Sequence, residues 1–169
     1  MSDISDEIPF DIPCSWAWCR LSNLISLLSG RDLEPHQYNS CGMGLPYITG
    51  ASNIESCSVI INRWTNFPQT ISRKGDILLT CKGTIGKMAF NEHGDMHIAR
   101  QVMAIRSTYV YMPFLYLFLM SYIPTLKSNA QSIIPGISRE VIMNVLFALP
   151  PFKEQIRIAT ETQRLLLML

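Results

Sequence analysis

The segment Thr80-Cys-Lys-Gly-Thr-Ile-Gly-Lys87 sets two glycines among two lysines and two threonines, directly after an apolar run. Glycine lets a backbone turn tightly and approach a phosphate, and Lys82, Thr84 and Lys87 would supply donors there. An ordinary β-turn with solvated lysines is the competing reading. The spacing is not that of the nucleotide P-loop, G-x-x-x-x-G-K-[ST], and no long helix follows to aim its N-terminus at a phosphate. Arg100 and Gln101 form a second candidate pair, because an arginine fork matches guanine and a glutamine amide matches adenine in the major groove. Arg100 buried against Asp76 or Asp95 is the alternative. Asn129, Gln131, Ser132 and Arg139 make a third polar group, read either as DNA contacts or as caps and loop hydrogen bonds.

Other chemistries find little support. His93 and His97 stand four apart with Cys81 upstream, but on a strand or across a hairpin that spacing does not converge ligands as it does on a helix. No metal site is expected. There is no G-x-S-x-G and no Cys-His nucleophile signature, so no catalytic residue is assigned. Trp16, Trp18 and Trp64 have the faces to stack on bases, although large aromatics more often serve a core or an interface. The cysteines Cys14, Cys19, Cys41, Cys57 and Cys81 are odd in number and contain no C-x-x-C pair, which argues against a disulfide framework and a zinc knuckle.

The net charge of +1 hides an asymmetry: residues 1–60 carry seven acids against two bases, whereas residues 61–140 carry nine bases against four acids. A basic middle segment fits a polyanionic partner, and equally a solvated basic face. The acidic N-terminus lacks the basic start and apolar run of a secretory signal, which places the protein in the cytoplasm with reduced thiols. Ser107 to Leu126 is free of charge and long enough to suggest a membrane span. Pro113 and Pro124 bracket its apolar part, however, and a buried core helix is the better reading. No membrane partner is expected.

Certain elements must position these groups. Leu21, Leu24, Ile25 and Leu28 recur at helical spacing with Gly30 as a C-terminal cap, and residues 31 to 44 read as a polar loop. Leu45 to Thr49, Val59 to Ile61, Asp76 to Cys81 and Met88 to Asn91 read as short strands. Asn91 to Asp95 reads as a hairpin connection, with Gly94 at positive φ, leading to a strand from Gln101 to Arg106. An apolar helix lies between Pro113 and Pro124, and Ser138 is placed to N-cap a short helix from Arg139 to Asn144. After a strand from Val145 to Leu149, Pro150-Pro151 opens a helix from Phe152 to Leu169. Phe152, Ile156, Ala159, Gln163 and Leu166 alternate by four and three along it, the spacing of a coiled-coil seam. The fold class expected is α/β (α+β), with a twisted, mainly antiparallel sheet, packed helices and a projecting C-terminal helix. Residues 1–150 would form the domain and 151–169 the start of a dimerisation helix.

Three segments carry a resemblance: Gly44-Leu-Pro-Tyr-Ile-Thr-Gly-Ala-Ser-Asn53, Lys74-Gly-Asp-Ile-Leu-Leu-Thr-Cys-Lys-Gly-Thr-Ile-Gly-Lys87, and Leu149-Pro-Pro-Phe-Lys-Glu-Gln-Ile-Arg-Ile158. With His97-Ile-Ala-Arg-Gln101 and Ser132-Ile-Ile-Pro-Gly-Ile-Ser138 they make the chain, from about Ile12 onward, resemble the target-recognition domain of a specificity subunit of type I restriction-modification systems. The resemblance implies sequence recognition on double-stranded DNA in partnership with a DNA adenine methyltransferase subunit and a restriction translocase subunit. It implies no cofactor, since neither the methyl donor nor a nucleotide should bind here, and no enzyme activity in this chain. A full subunit of that family has two such domains joined by long helices, each reading half of a split site; this chain has one. An isolated half-subunit, a truncated piece and a single-domain version that dimerises through the C-terminal helix all remain open. Two rivals stand beside this reading: a protein-interaction module and an unrecognised DNA-modifying enzyme. Leu149-Pro-Pro-Phe152 only superficially resembles the N/D-P-P-[YF] motif of methyltransferases, because it lacks the polar first residue.

Overall fold

A computed structural model describes residues 4–129 and 136–168. In chain order its strands are β1 (Ala17–Arg20), β2 (Ser26–Ser29), β3 (Tyr38–Asn39), β4 (Leu45–Ile48), β5 (Ile54–Glu55), β6 (Ser58–Val59), β7 (Trp64–Thr65), β8 (Ile71–Ser72), β9 (Ile77–Thr80), β10 (Met88–Phe90), β11 (Met96–Ile98) and β12 (Val102–Arg106). Helix α1 (Met112–Asn129), helix α2 (Arg139–Met143), strand β13 (Leu146–Leu149) and helix α3 (Phe152–Leu166) follow. Two sheets dominate. One is antiparallel in the order β10-β9-β12-β2; the other runs β3-β7-β4-β11-β8, and only its β4–β11 pair is parallel. The mixed but mainly antiparallel α+β architecture is the one expected from the sequence.

Strand β9 explains why the middle of the chain alternates so weakly in hydrophobicity. All four of its residues are buried. Successive side chains of a strand point to opposite faces, and here each face has its own core. Ile77 and Leu79, with Met103 and Ile105 of β12, pack under Leu115, Leu119, Ile123 and Phe147. Leu78, with Val102 and Ala104, faces Ile48, Met96 and Ile98 of the second sheet. Apolar residues in succession are what a strand covered on both sides requires.

The two layers are also riveted by a buried polar group. Asp76 accepts from Arg106 Nε at 2.9 Å and Nη2 at 2.7 Å, from Ser72 Oγ at 3.1 Å and from the Arg73 backbone N–H at 2.8 Å. Ser72 lies on β8 and Arg106 on β12, so one carboxylate joins both sheets. Asp76 therefore pairs with Arg106 and not with Arg100.

Several local expectations are corrected. Residues 21 to 28 do not form a helix: a single 3-10 turn, Leu21–Asn23, precedes β2, which pairs antiparallel with β12 through Leu28↔Ala104. Over so short a run the apolar spacing fits either state, and its serines and asparagine favour neither a helix interior nor its continuation. Gly30 is accordingly no helix cap; a Cβ there would lie 2.1 Å from the Ala99 carbonyl oxygen. Asn91 to Asp95 is not a hairpin, because β10 and β11 belong to different sheets, although Gly94 does have φ +103°. Helix α1 does not stop at Pro124 but runs through it. Pro124 and Met120, whose carbonyl a proline at 124 leaves without its helical donor, are both exposed, so water can satisfy that oxygen. No helix among the described residues is long and apolar enough to cross a membrane.

The Ser138 cap is present, its Oγ accepting from Val141 N at 3.2 Å. Helix α3 docks on the domain through Gln155, which accepts from Tyr111 N at 2.8 Å and donates to Pro150 O at 2.9 Å. Trp16 Nε1 adds a bond to Glu154 at 3.0 Å.

Candidate nucleic-acid interface

Strand β11 leaves one sheet and β12 enters the other through a tight turn closed by Val102 N donating to Ala99 O at 2.9 Å. Arg100 and Gln101 form its tip. The loop that follows β2 lies against this turn. Gly30 N donates to Val102 O at 3.2 Å and Arg31 N to Ile98 O at 2.9 Å, a close approach that only glycine at position 30 allows.

His97 fixes the loop from below. Its side chain is fully buried, with Nε2 2.9 Å from Arg31 O and Nδ1 3.1 Å from Thr70 O and 3.2 Å from Thr70 N. Burial lowers the pKa of this imidazole below its ordinary value, against the raising pull of the Arg31 and Thr70 carbonyl oxygens. With both nitrogens engaged it is no metal ligand, and the described residues contain no cluster of three His, Cys, Asp or Glu able to hold an ion.

The loop delivers Asp32 to the turn. Its carboxylate forms an ion pair with the Arg100 guanidinium, Oδ2 lying 2.7 Å from Nε, and accepts from the Arg100 backbone N–H at 3.1 Å. Gln101 points the same way; in the amide orientation that satisfies it, the nitrogen donates to Thr49 O at 3.0 Å and to Asp32 Oδ1 at 3.2 Å. Arg100 is thus neither buried nor paired with Asp76 or Asp95. Its side chain is 65% exposed, and among the described residues its two terminal nitrogens make no hydrogen bond.

The glycine-rich loop abuts the same turn. Cys81 N donates to Gln101 O at 2.8 Å, and Ile137 N donates to Cys81 O at 2.9 Å, which brings the segment before α2 alongside. Thr80 Oγ1 ties the loop shut, donating to Thr84 O at 2.7 Å and accepting from Lys87 N at 2.9 Å. Gly83 and Gly86 have φ of +70° and +83°, the left-handed turn geometry expected of them. Lys82 and Thr84 are exposed. Lys87 is differently used: its ammonium donates to Ala51 O at 3.0 Å and Ile54 O at 2.9 Å, strapping the loop to the turn after β4.

That turn is organised by Asn53, fully buried, which accepts from Thr49 N at 2.9 Å and donates to Ile60 O at 2.8 Å. Sequence reasoning missed two residues here. Asp32 lies in the polar loop of residues 31 to 44 with nothing to single it out, and Lys127, near the end of α1, lies so close to Gly86 that a Cβ there would come within 2.6 Å of Lys127 Cε. Neither has a local signal, because each meets its neighbours only through the fold.

The remaining candidates divide. Arg139 is exposed but donates to Leu27 O. Asn129 is described only as the last residue of α1, and Gln131 and Ser132 lie outside the described residues. Trp18 stacks edge-on with Phe10 at 5.0 Å, and Trp16 and Trp18 line a groove with Phe114, Phe118 and Tyr122. Of the seam residues on α3, Phe152, Ile156, Gln163 and Leu166 are exposed, whereas Ala159 is buried within this domain and is not free for a partner.

The family model of the type I restriction modification DNA specificity domain matches residues 16–165. The chain belongs to that family. The specificity subunit of the type I restriction enzyme EcoAI from Escherichia coli is 28% identical over 96% of this chain and 30% of its own length. A chain from work on complex assembly and conformational transition of the type I R-M system superposes with a TM-score of 0.87, at 24% identity over 98% of this specificity domain and 42% of that chain. The HsdS subunit from Thermoanaerobacter tengcongensis gives 0.84, at 24% identity over 95% and 39%. The S subunit from M. genitalium gives 0.67 at 16% identity, over 92% and 40%. The specificity domain therefore spans well under half the length of these relatives. Within it, the Gly-Asp of the segment from Lys74 and Asn53 of the segment from Gly44 are built into the fold, while Lys82, Thr84 and Arg100 remain outward.

Proposed function

We propose that this chain reads a short sequence of duplex DNA for a type I restriction-modification complex, directing a methyltransferase subunit and a restriction subunit to a split site while performing no chemistry itself. The observation that carries the proposal is the convergence of five separate segments, around Asp32, Gly50, Lys82, Arg100 and Ile137, on one loop surface. That surface combines exposed lysines with an arginine whose fork is unspent. Lys82 and Lys127 flank a glycine turn suited to close backbone approach by a phosphate, and Arg100 stands beside them to meet a base edge. Thr84 adds a hydroxyl. Lys87 helps by holding the loop.

Residues 1–150 would act as the reading domain and α3 as the start of the connecting helix. Its exposed Phe152, Ile156, Gln163 and Leu166 would meet a second copy or a partner subunit. The protein would work in the cytoplasm, where its target DNA lies. Selection of bound duplexes from a randomised pool, with the chain assembled on its methyltransferase subunit at moderate salt, tests the proposal. Enrichment of a short half-site is expected, and no enrichment from the assembled complex would refute it.

A further inference from the structure

We infer that Asp32 is a specificity-determining residue of this surface: it positions the Arg100 guanidinium as a two-pronged donor for a guanine edge. The inference rests on the DNA-reading function proposed above. A guanidinium carries five N–H donors in one plane. Asp32 Oδ2 holds the guanidinium in an ion pair on its Nε side at 2.7 Å, and the two terminal nitrogens, which make no hydrogen bond among the described residues, are left as the free edge. Two parallel donors there match the O6 and N7 acceptors that guanine presents in the major groove.

An exposed arginine without a partner would sample many rotamers and lose that freedom on binding. Asp32 removes much of the loss in advance, because it is itself fixed. The loop carrying it is held by Arg31 N on Ile98 O at 2.9 Å and by His97 on Arg31 O at 2.9 Å. Leu33 beyond it is buried, with its N–H donating to the Tyr47 hydroxyl at 3.3 Å. Asp32 also grips the backbone N–H of Arg100 at 3.1 Å, so it orients the turn as well as the side chain.

Gln101 changes role in consequence. Its amide nitrogen is spent on Thr49 O and Asp32 Oδ1, so it steadies the carboxylate and does not read adenine. A carboxylate at this position would repel a phosphate, which sets the Asp32–Arg100 pair apart from the lysines around Gly86 and assigns it to bases.

The test is the same selection, on the assembled complex, with Asp32→Ala, Arg100→Ala, the double variant and Asp32→Asn. The wild type should enrich a half-site with guanine at one position. Asp32→Ala and Arg100→Ala should each lose preference at that same position by about 5- to 150-fold, the range of one bidentate arginine–guanine contact. The double variant should lose no more than either single one, Asp32→Asn should lose less, and the other positions of the half-site should persist, which shows that the domain is folded. An Asp32→Ala half-site identical to wild type would overturn the inference. So would loss of a cytosine at a different position from the one Arg100→Ala affects, since Asp32 would then be reading a base itself. If the wild type enriched nothing, the DNA-reading function would fall and this inference with it.

Discussion

Asp76→Ala removes a carboxylate whose side chain is 4% exposed and which accepts four hydrogen bonds, two of them from one guanidinium. Arg106 would be left charged, with its side chain 29% exposed and, among the described residues, no other ion pair. Breaking a buried pair by deleting one partner costs about 3–5 kcal/mol; because Arg106 keeps some contact with water, the lower end, about 3 kcal/mol, is expected. For a chain of this size each kcal/mol lowers Tm by roughly 2–4 °C, so the fall should be about 6–12 °C. Thermal unfolding followed by circular dichroism measures it. In a double-mutant cycle with Arg106→Ala, the two losses should fall short of additivity by about 1–3 kcal/mol. The reasoning also says that this acid of the Gly-Asp motif serves the fold and not the DNA. A Tm shift under about 2 °C, or weakened DNA binding at unchanged Tm, would refute it.

Lys82→Ala and Lys127→Ala should each weaken binding to all DNA sequences alike and flatten the salt dependence by about 0.9 in log K against log salt, measured by titration at several salt concentrations. Lys87→Ala should lower Tm as well as affinity, because its ammonium holds the carbonyls of Ala51 and Ile54; an unchanged Tm would count against the strap. His97 has a pKa lowered from 6.5, so between its folded value and 6.5 the unfolded chain binds more protons than the native one. Its contribution to stability is therefore complete above that window and lost as the pH falls through it, and His97→Gln should flatten the acid limb of a stability-against-pH curve. If α3 pairs with a second copy through Phe152, Ile156 and Leu166, sedimentation at high micromolar concentration should show a dimer that Ile156→Glu dissociates; a wild-type monomer would remove that reading.

Features held by near neighbours were legible in the sequence. The Ser138 cap spans three residues, Gly83 and Gly86 mark their own turn, and α3 announces itself after Pro150-Pro151. Features set by distant partners were not. Residues 21 to 28 carry a spacing that fits a helix, yet three of them, Ser26 to Leu28, belong to β2, because β12, far along the chain, offers a ladder. β11 is three residues long, and all three are buried, so it shows no alternation to read. Arg100 was singled out by its chemistry, but its partner lies 68 residues earlier. Neither Asp76 nor Asp95 takes that place, and Asp76 is occupied by Arg106.

The absence of room for even a methyl group at Gly30 carries a consequence for how such a domain changes its target. The stretch bearing Asp32 and the tip bearing Arg100 are clasped so closely, the Ala99 oxygen lying 2.1 Å from where a Cβ of residue 30 would sit, that neither can be re-aimed without the other. They behave as a single interchangeable cassette written in two distant places. A graft that transplants only one of them would join halves from different keys, and retargeting by exchange of loops has to move both together.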